Sequence, residues 1–267
     1  MITVNGHKID AFSFPGGERH VNVAKIPEAD RYIVEARILN SDDLMDTMLT
    51  CDALERVNGS PITLLIPYFP YGRQDRVCAS GDPLSLEVVC KMLEGLGLHE
   101  IVTLDPHSPL PDNITQLTNQ HFVNTVYMHL TPDFLICPDA GARKKYDFFS
   151  RMPTVFCGKK RDPKTGKLSG FEIVDMTIAP ERGDVGLVVD DICDGGGTFL
   201  GLADLFPQKL CLAVTHGIFS KGLDPLFQKY SQIFTTTSRR NPDKRNPPKR
   251  ANFHVIPWIN AWPGFSK

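Results

Sequence analysis

Seven short apolar runs recur along the chain, at Ile62–Tyr68, Ile101–Leu104, Phe134–Cys137, Thr154–Cys157, Val185–Val189, Leu210–Val214 and Phe253–Pro257, and each ends in a polar or glycine-rich turn. Apolar runs this short, without polar alternation, suit strands buried on both faces. Helical patterns lie between them. Residues 42–57 place Leu44, Met48, Leu49, Asp52 or Ala53 and Val57 around one stripe, with Ser41 as N-cap and acids in the first turn. Residues 84–96 repeat the design with Val88, Val89, Met92, Leu93 and Leu96 on one side and Gly97 as the stop. Strands alternating with such helices predict an α/β fold, a mainly parallel sheet flanked by helices. The pattern runs twice, with a soft boundary near Leu130–Pro132, so two similar domains are expected at 1–130 and 131–267. Polar residues follow the strand ends, where ligands bind in such sheets; they are expected to converge on one cleft.

Composition narrows the class. The 267 residues are 42% hydrophobic and 22% charged, which fits a folded soluble domain rather than a disordered chain. Lys plus Arg number 29 against 31 Asp plus Glu, so the chain as a whole lacks the basic excess of a nucleic-acid binder. The seven cysteines form no CxxC pair, and several sit inside apolar runs, where they act as small hydrophobes. The first residues lack the pattern of a secretory signal, and no apolar stretch approaches the ~18 residues of a membrane span. A cytoplasmic protein with no membrane and no nucleic-acid partner is expected.

The sharpest motif is Leu187-Val-Val-Asp-Asp-Ile-Cys-Asp-Gly-Gly-Gly-Thr198, leading into an apolar helix from Phe199. Gly195, Gly196 and Gly197 let backbone N–H groups approach an anion, and the helix start adds its positive dipole end. Asp190 and Asp191 close a buried strand, where carboxylates accept hydrogen bonds from vicinal ribose hydroxyls; unpaired there they are costly. The plainer alternative is an ordinary strand-turn-helix. Lys159 and Arg161 end another strand and lead into the Gly- and Lys-rich segment 162–170, which in isolation reads equally as a solvated loop. His107 by itself reads as a structural histidine. Thr215-His216-Gly217 reads as a pocket border or a plain turn. The basic segment 239–250 reads as an exposed loop, a phosphate-capture segment or a subunit contact.

The stretch from Asp190 to Thr198 resembles the phosphoribosyl-pyrophosphate fingerprint of type I phosphoribosyltransferases and of ribose-phosphate diphosphokinases. Ile66-Pro-Tyr-Phe-Pro-Tyr-Gly-Arg-Gln-Asp-Arg76 resembles the ATP-site signature of the diphosphokinases alone. Asp105-Pro106-His107-Ser108 resembles their metal-binding turn, and Pro138-Asp139-Ala140-Gly141 and Lys159-Lys160-Arg161 match further motifs in family order. The similarity spans roughly residues 10–240 of a chain short for that family.

The resemblance implies two type I phosphoribosyltransferase-like domains and transfer of the β,γ-diphosphoryl group of ATP to ribose 5-phosphate, giving phosphoribosyl pyrophosphate and AMP. It implies ATP binding by Phe14, Glu18, Arg73, Gln74, Asp75 and His107, Mg²⁺ at His107 and Asp139, and ribose-phosphate binding by Asp190, Asp191, Asp194, Gly195, Gly196, Gly197 and Thr198. Lys159 and Arg161 are the implied catalytic pair, and a homo-oligomer is implied. Three departures stand out. Gly16 replaces an Asp in the Phe14–Glu18 hairpin, which in the family reaches a neighbouring subunit's adenine pocket. The segment 77–82 lacks the family's basic regulatory residues. Gly195 replaces a Thr, which removes a hydroxyl and is expected to add space beside the 5′-phosphate. That space motivates an alternative acceptor extended at its phosphate, such as ADP-ribose in NAD salvage. A non-catalytic regulatory homologue is a second alternative, and an ordinary phosphoribosyltransferase leaves Arg73–Arg76 unexplained.

Overall fold

The computed structural model describes residues 1–145, 152–161, 168–239 and 251–261, which fall into two α/β units. The first takes 1–118 with 238 and 239, the second 119–237 with 251–261.

The first unit runs β1 (Ile2–Val4), β2 (His7–Lys8), β3 (Asp10–Ser13), β4 (Arg19–Asn22), β5 (Tyr32–Ala36), α1 (Ser41–Asn58), β6 (Ile62–Ile66), α2 (Ser85–Glu94), β7 (Glu100–Leu104) and β8 (Ile114–Leu117). Its main sheet has the order β2-β1-β5-β6-β7-β8, with β5 to β8 parallel and β1 antiparallel to β5. Strand β6 is buried at all five positions, as an unbroken apolar run requires. Strands β3 and β4 form a separate hairpin.

Helix α1 buries Leu44, Thr47, Cys51 and Leu54, while Val57 of the expected stripe faces solvent. The stripe is shifted because Asp46 is drawn inward by Arg19 of β4, whose Nε donates to Oδ1 at 2.9 Å and whose Nη2 donates to Oδ2. The cap also differs from the expected Ser41. Asn40 is the extended residue, and its Oδ1 accepts from the Asp43 N–H at 2.9 Å while Asp43 Oδ2 accepts from the Leu39 N–H at 2.9 Å. Helix α2 is shorter than the pattern suggested, ends at Gly95 rather than Gly97, and leaves Val88 exposed.

The second unit runs α3 (Gln120–Leu130), β9 (Phe134–Cys137), α4 (Ala140–Lys145), β10 (Thr154–Arg161), β11 (Leu168–Met176), β12 (Val185–Cys193), α5 (Gly197–Ala203), β13 (Lys209–Gly217), α6 (Asp224–Phe227), β14 (Tyr230–Thr236), β15 (Phe253–Ile256) and a 3-10 turn at Trp258–Ala261. The sheet order is β11-β10-β9-β12-β13-β14-β15, parallel throughout except for the β10–β11 hairpin. The division falls before α3, not after it as the 1–130 and 131–267 boundaries supposed. Phe122, Val123 and Val126 of α3 pack with Leu135, Leu187, Val189 and Phe234 of the second sheet.

Three strands outrun their apolar cores. The β12–β13 ladder continues through Asp190↔Val214, Ile192↔His216 and Cys193↔Gly217, so Asp190 and Asp191 lie within the strand they were expected to close, and Thr215–Gly217 lie within β13 rather than in a plain turn. Likewise β10 carries Lys159 and Lys160 and ends with the backbone of Arg161. Backbone pairing persists where side-chain hydrophobicity stops, which periodicity alone does not register. The seven cysteines are free thiols, six of them buried and Cys78 exposed. Among the described residues no helix is long and apolar enough to cross a membrane.

Replacing Asn40 by Ala is expected to destabilise the protein by about 1 kcal/mol, the usual worth of an N-cap. Ser41→Ala should stay within ~0.5 kcal/mol of wild type, as surface changes do. Denaturant unfolding of both variants checks this; a larger loss for Ser41→Ala would show the cap misassigned.

Candidate active site

In the first unit, chemistry gathers on the loops after β6 and β7. Asp105 adopts a left-handed φ of 42°, which Asp tolerates better than most residues, while its N–H bonds to Leu117 O at 2.7 Å. The turn this makes brings buried Ser108 against the preceding loop, its Oγ 3.0 Å from both Gly72 O and Asp75 Oδ2. Asp75 Oδ1 also accepts from Arg76 Nε at 3.0 Å, and this bond holds the Asp75 carboxyl below the ordinary carboxylate range against the opposing effect of burial. A Cβ on Gly72 would lie 3.8 Å from His107 Cβ, so the two loops are in van der Waals contact. Asp75 thus ties the loops together, and Arg73, Gln74 and His107 stand on the exposed side.

Two further features belong to this unit. Residues 14–18 form a tight hairpin closed by Phe14 N–H to Glu18 O and Gly17 N–H to Phe14 O, both 2.9 Å. The Phe14 ring packs edge-on against Phe12 at 5.1 Å, and both rings remain about half exposed at 48% and 45%. A cleft of about 280 Å³ is lined by Asn40, Ser41, Tyr68, Tyr71, Gln74 and Arg239, with the Arg239 guanidinium 4.7 Å from the Tyr68 ring centre. Of the basic segment 239–250 only Arg239 is among the described residues.

In the second unit the strand ends carry a connected set of charges. Asp139, after β9, accepts from the N–H groups of Gly141 and Ala142 at 3.0 and 3.1 Å through Oδ1. Its Oδ2 stands 3.4 Å from Lys159 Nζ on β10. Asp191 is buried and pairs with Lys145 Nζ of α4 at 2.9 Å. Asp190 Oδ1 accepts from the Asp191 N–H at 2.9 Å. Burial, and after it the adjacent Asp191 carboxylate, push Asp190 well above the ordinary carboxylate range. Burial likewise pushes the Cys137 and Cys193 thiols up to about 12, so neither is a thiolate nucleophile.

The loop from Asp194 to Gly197 is pinned from below. Cys193 O accepts from the N–H groups of Ile218 and Phe219 at 2.9 and 3.1 Å, and Asp194 O accepts from Ser220 N–H at 3.1 Å. Gly196 takes φ 77°, the left-handed turn that starts α5, with Thr198 in its first turn. The expected space beside Gly195 is bordered by the Lys221 stem: a Cβ there would stand in ordinary van der Waals contact with Cε at 3.4 Å and Cδ at 3.5 Å. That narrows the opening on which an extended acceptor was argued.

The structure therefore gathers Asp139, Lys159, Asp190, Asp191 and the glycine loop on one sheet. Arg161 contributes only its backbone to the description, and residues 162–167 of the adjoining loop lie outside the described residues. Sequence reading missed Lys145, for which the basic run after the strand-end acid Asp139 is a signal. Ser220-Lys221-Gly222, which with Thr215-His216-Gly217 reads along the chain as a pocket border or a plain turn, brings the Lys221 stem beside Gly195.

A family model described as the N-terminal domain of ribose phosphate pyrophosphokinase matches residues 1–97. The ribose-phosphate pyrophosphokinase of Aquifex aeolicus is 28% identical over 227 residues, covering 78% of this chain and 71% of its own. That of Pyrococcus furiosus is 27% identical over 253 residues, covering 88% and 87%. Among solved structures, phosphoribosylpyrophosphate synthetase from Mycobacterium smegmatis superposes with a TM-score of 0.74 at 23% identity, covering 94% of this chain and 86% of that one. The expected fold, two phosphoribosyltransferase-like α/β domains, is borne out.

The raised Asp190 has a consequence for stability. Native Asp190 keeps its proton to higher pH than the unfolded chain does, so the native state binds more protons and stability falls as pH rises from about 4 through the raised native value. Asp190→Asn is neutral throughout and removes that fall. Without ligand the variant is expected to melt above wild type at about pH 8 and close to it at about pH 4. Melting curves across that range check this, and parallel curves would refute the burial of charge argued for Asp190.

Proposed function

We propose that the chain, on its similarity to ribose-phosphate pyrophosphokinases, acts as a member of that family and transfers the β,γ-diphosphoryl group of ATP to the anomeric hydroxyl of ribose 5-phosphate. The products are phosphoribosyl pyrophosphate and AMP. The observation that carries this reading is the Asp190–Asp191 pair, two carboxylates on β12 directly ahead of a glycine loop. Burial disfavours the charge of Asp190, and hydrogen bonds from the vicinal hydroxyls of a ribose offset that cost.

In the reaction the anomeric oxygen attacks the β-phosphorus and loses its proton. The bond from the β-phosphorus to the oxygen bridging it to the α-phosphorus breaks, and AMP leaves with that oxygen. Asp190 and Asp191 hold the ribose hydroxyls, and Asp194 to Thr198 hold its 5′-phosphate through backbone N–H groups and the Thr198 hydroxyl. Lys159 and Arg161 meet the charge that grows on the transferring diphosphoryl group. Arg73 and Gln74, with Phe14, Glu18, Asp75 and His107, serve ATP, Arg73 being suited to bidentate phosphate contact.

The implied cation is Mg²⁺. Asp139 suits it, since Oδ1 is engaged by backbone N–H groups and Oδ2 is a hard oxygen donor; His107 is a softer partner for this ion. Among the described residues no three His, Cys, Asp or Glu side chains form a cage, which fits a cation carried largely by the triphosphate. When bound it neutralises phosphate charge. The reading extends to a cytoplasmic homo-oligomer.

AMP release from ATP is expected with ribose 5-phosphate and Mg²⁺, with higher kcat/KM than for ADP-ribose. Lys159→Ala should lower kcat by about 10²- to 10³-fold with little change in either KM, as removal of a group acting mainly in the transition state does. Side-by-side assays of the two acceptors decide the substrate, the reverse order favouring the acceptor that NAD salvage requires. An effect of Lys159→Ala confined to KM would reassign it to ground-state binding.

A further inference from the structure

We propose that Lys221 is a phosphate-binding residue that selects acceptors ending in a free 5′-phosphate monoester, a role that rests on the acceptor reading given above. The Lys221 stem runs along the first glycine of the anion loop: a Cβ at residue 195 would lie 3.4 Å from its Cε, 3.5 Å from its Cδ and 3.8 Å from its Cγ. The ammonium nitrogen, one bond of about 1.5 Å beyond Cε, is therefore within about 5 Å of that point.

The placement is built into the fold. Lys221 belongs to the loop after β13, and Ser220 N–H to Asp194 O at 3.1 Å joins this loop to the anion loop directly. Ile218 and Phe219 make two more such bonds to Cys193 O. Phe219 takes a left-handed φ of 48°, and Gly222 N–H closes back on Phe219 O at 2.9 Å, so the lysine is presented from a tight turn. Lys221 is exposed and forms no ion pair with another described residue, so its charge is available to a ligand.

Gly195 and Lys221 lie side by side. A Cβ at 195 would stand in ordinary van der Waals contact with the lysine stem, so where the glycine lacks a hydroxyl the neighbouring loop supplies a full positive charge. A phosphate monoester is close to a dianion at neutral pH, its second pKa being about 6. A charge-assisted bond to it is worth roughly twice a neutral one. A 5′-phosphodiester carries one negative charge fewer, and its substituent has to pass the lysine stem.

Three proteins test this: wild type, Lys221→Met, which keeps the stem without charge, and Lys221→Arg, which restores charge. Calorimetric titration with ribose 5-phosphate, ADP-ribose and inorganic phosphate is paired with KM and kcat. Lys221→Met is expected to weaken ribose 5-phosphate about tenfold or more and inorganic phosphate similarly. ADP-ribose affinity, KM for ATP and kcat should move less than about threefold, and Lys221→Arg should recover most of the loss. The gain in wild-type affinity between about pH 5 and 7, as the phosphate loses its second proton, should shrink in Lys221→Met. Unchanged binding of ribose 5-phosphate, or an equal loss for both acceptors, overturns the proposal. Failure of the activity reading shows differently, as absence of AMP from wild type with either acceptor while the titrations still report on the lysine.

Discussion

Two adjacent carboxylates, Asp190 and Asp191, stand on a strand that its sheet encloses on both sides, and the cost of that charge organises everything around them. Asp191 is met by Lys145 at 2.9 Å, so one acid is neutralised from the short helix that follows β9. Asp190 has no equal compensation and is driven toward its protonated form. A buried pair of this kind is weak evidence for stability, and acids whose charge burial disfavours cluster at functional sites.

The same parallel arrangement supplies the other charges. The parallel strands of the second sheet deliver their carboxyl ends to one side, so Asp139, Lys159 and the glycine loop arrive beside the acids without long loops. The Asp139–Lys159 pair at 3.4 Å is partly exposed and long, so it holds the lysine only weakly. The first unit uses a different device. There the functional side chains are exposed, and rigidity comes from beneath, where one buried serine hydroxyl lies between a backbone carbonyl and the carboxylate of Asp75.

Much of this was legible along the chain because strands buried on both faces must be apolar without interruption. Phe134–Cys137 was read to its true limits, and six more runs were located to within a few residues at their starts. The strands that escaped notice, β1 to β5, β8, β11 and β14, are short, edge-lying, half polar or interrupted, so their composition resembles that of loops. Helix α1 was found, but its buried face was misjudged because Asp46 goes inward to meet Arg19, a pairing between residues far apart in sequence. The acids were identified correctly as a pair closing a buried strand, and the strand runs on past them to Cys193 because ladder bonds continue past the last apolar side chain.

By itself the sequence determined the fold class, the order of the chemical motifs and the identity of the strand-end groups, because hydrophobic period and glycine placement are local properties of the chain. Only the tertiary structure decided what those groups face. Lys145 meets Asp191, Ser108 meets Asp75, and the Lys221 stem lines the space beside Gly195. Each partner lies on a different loop or helix from the group it serves. The distance between them is set by sheet register and loop packing, which no window of sequence contains.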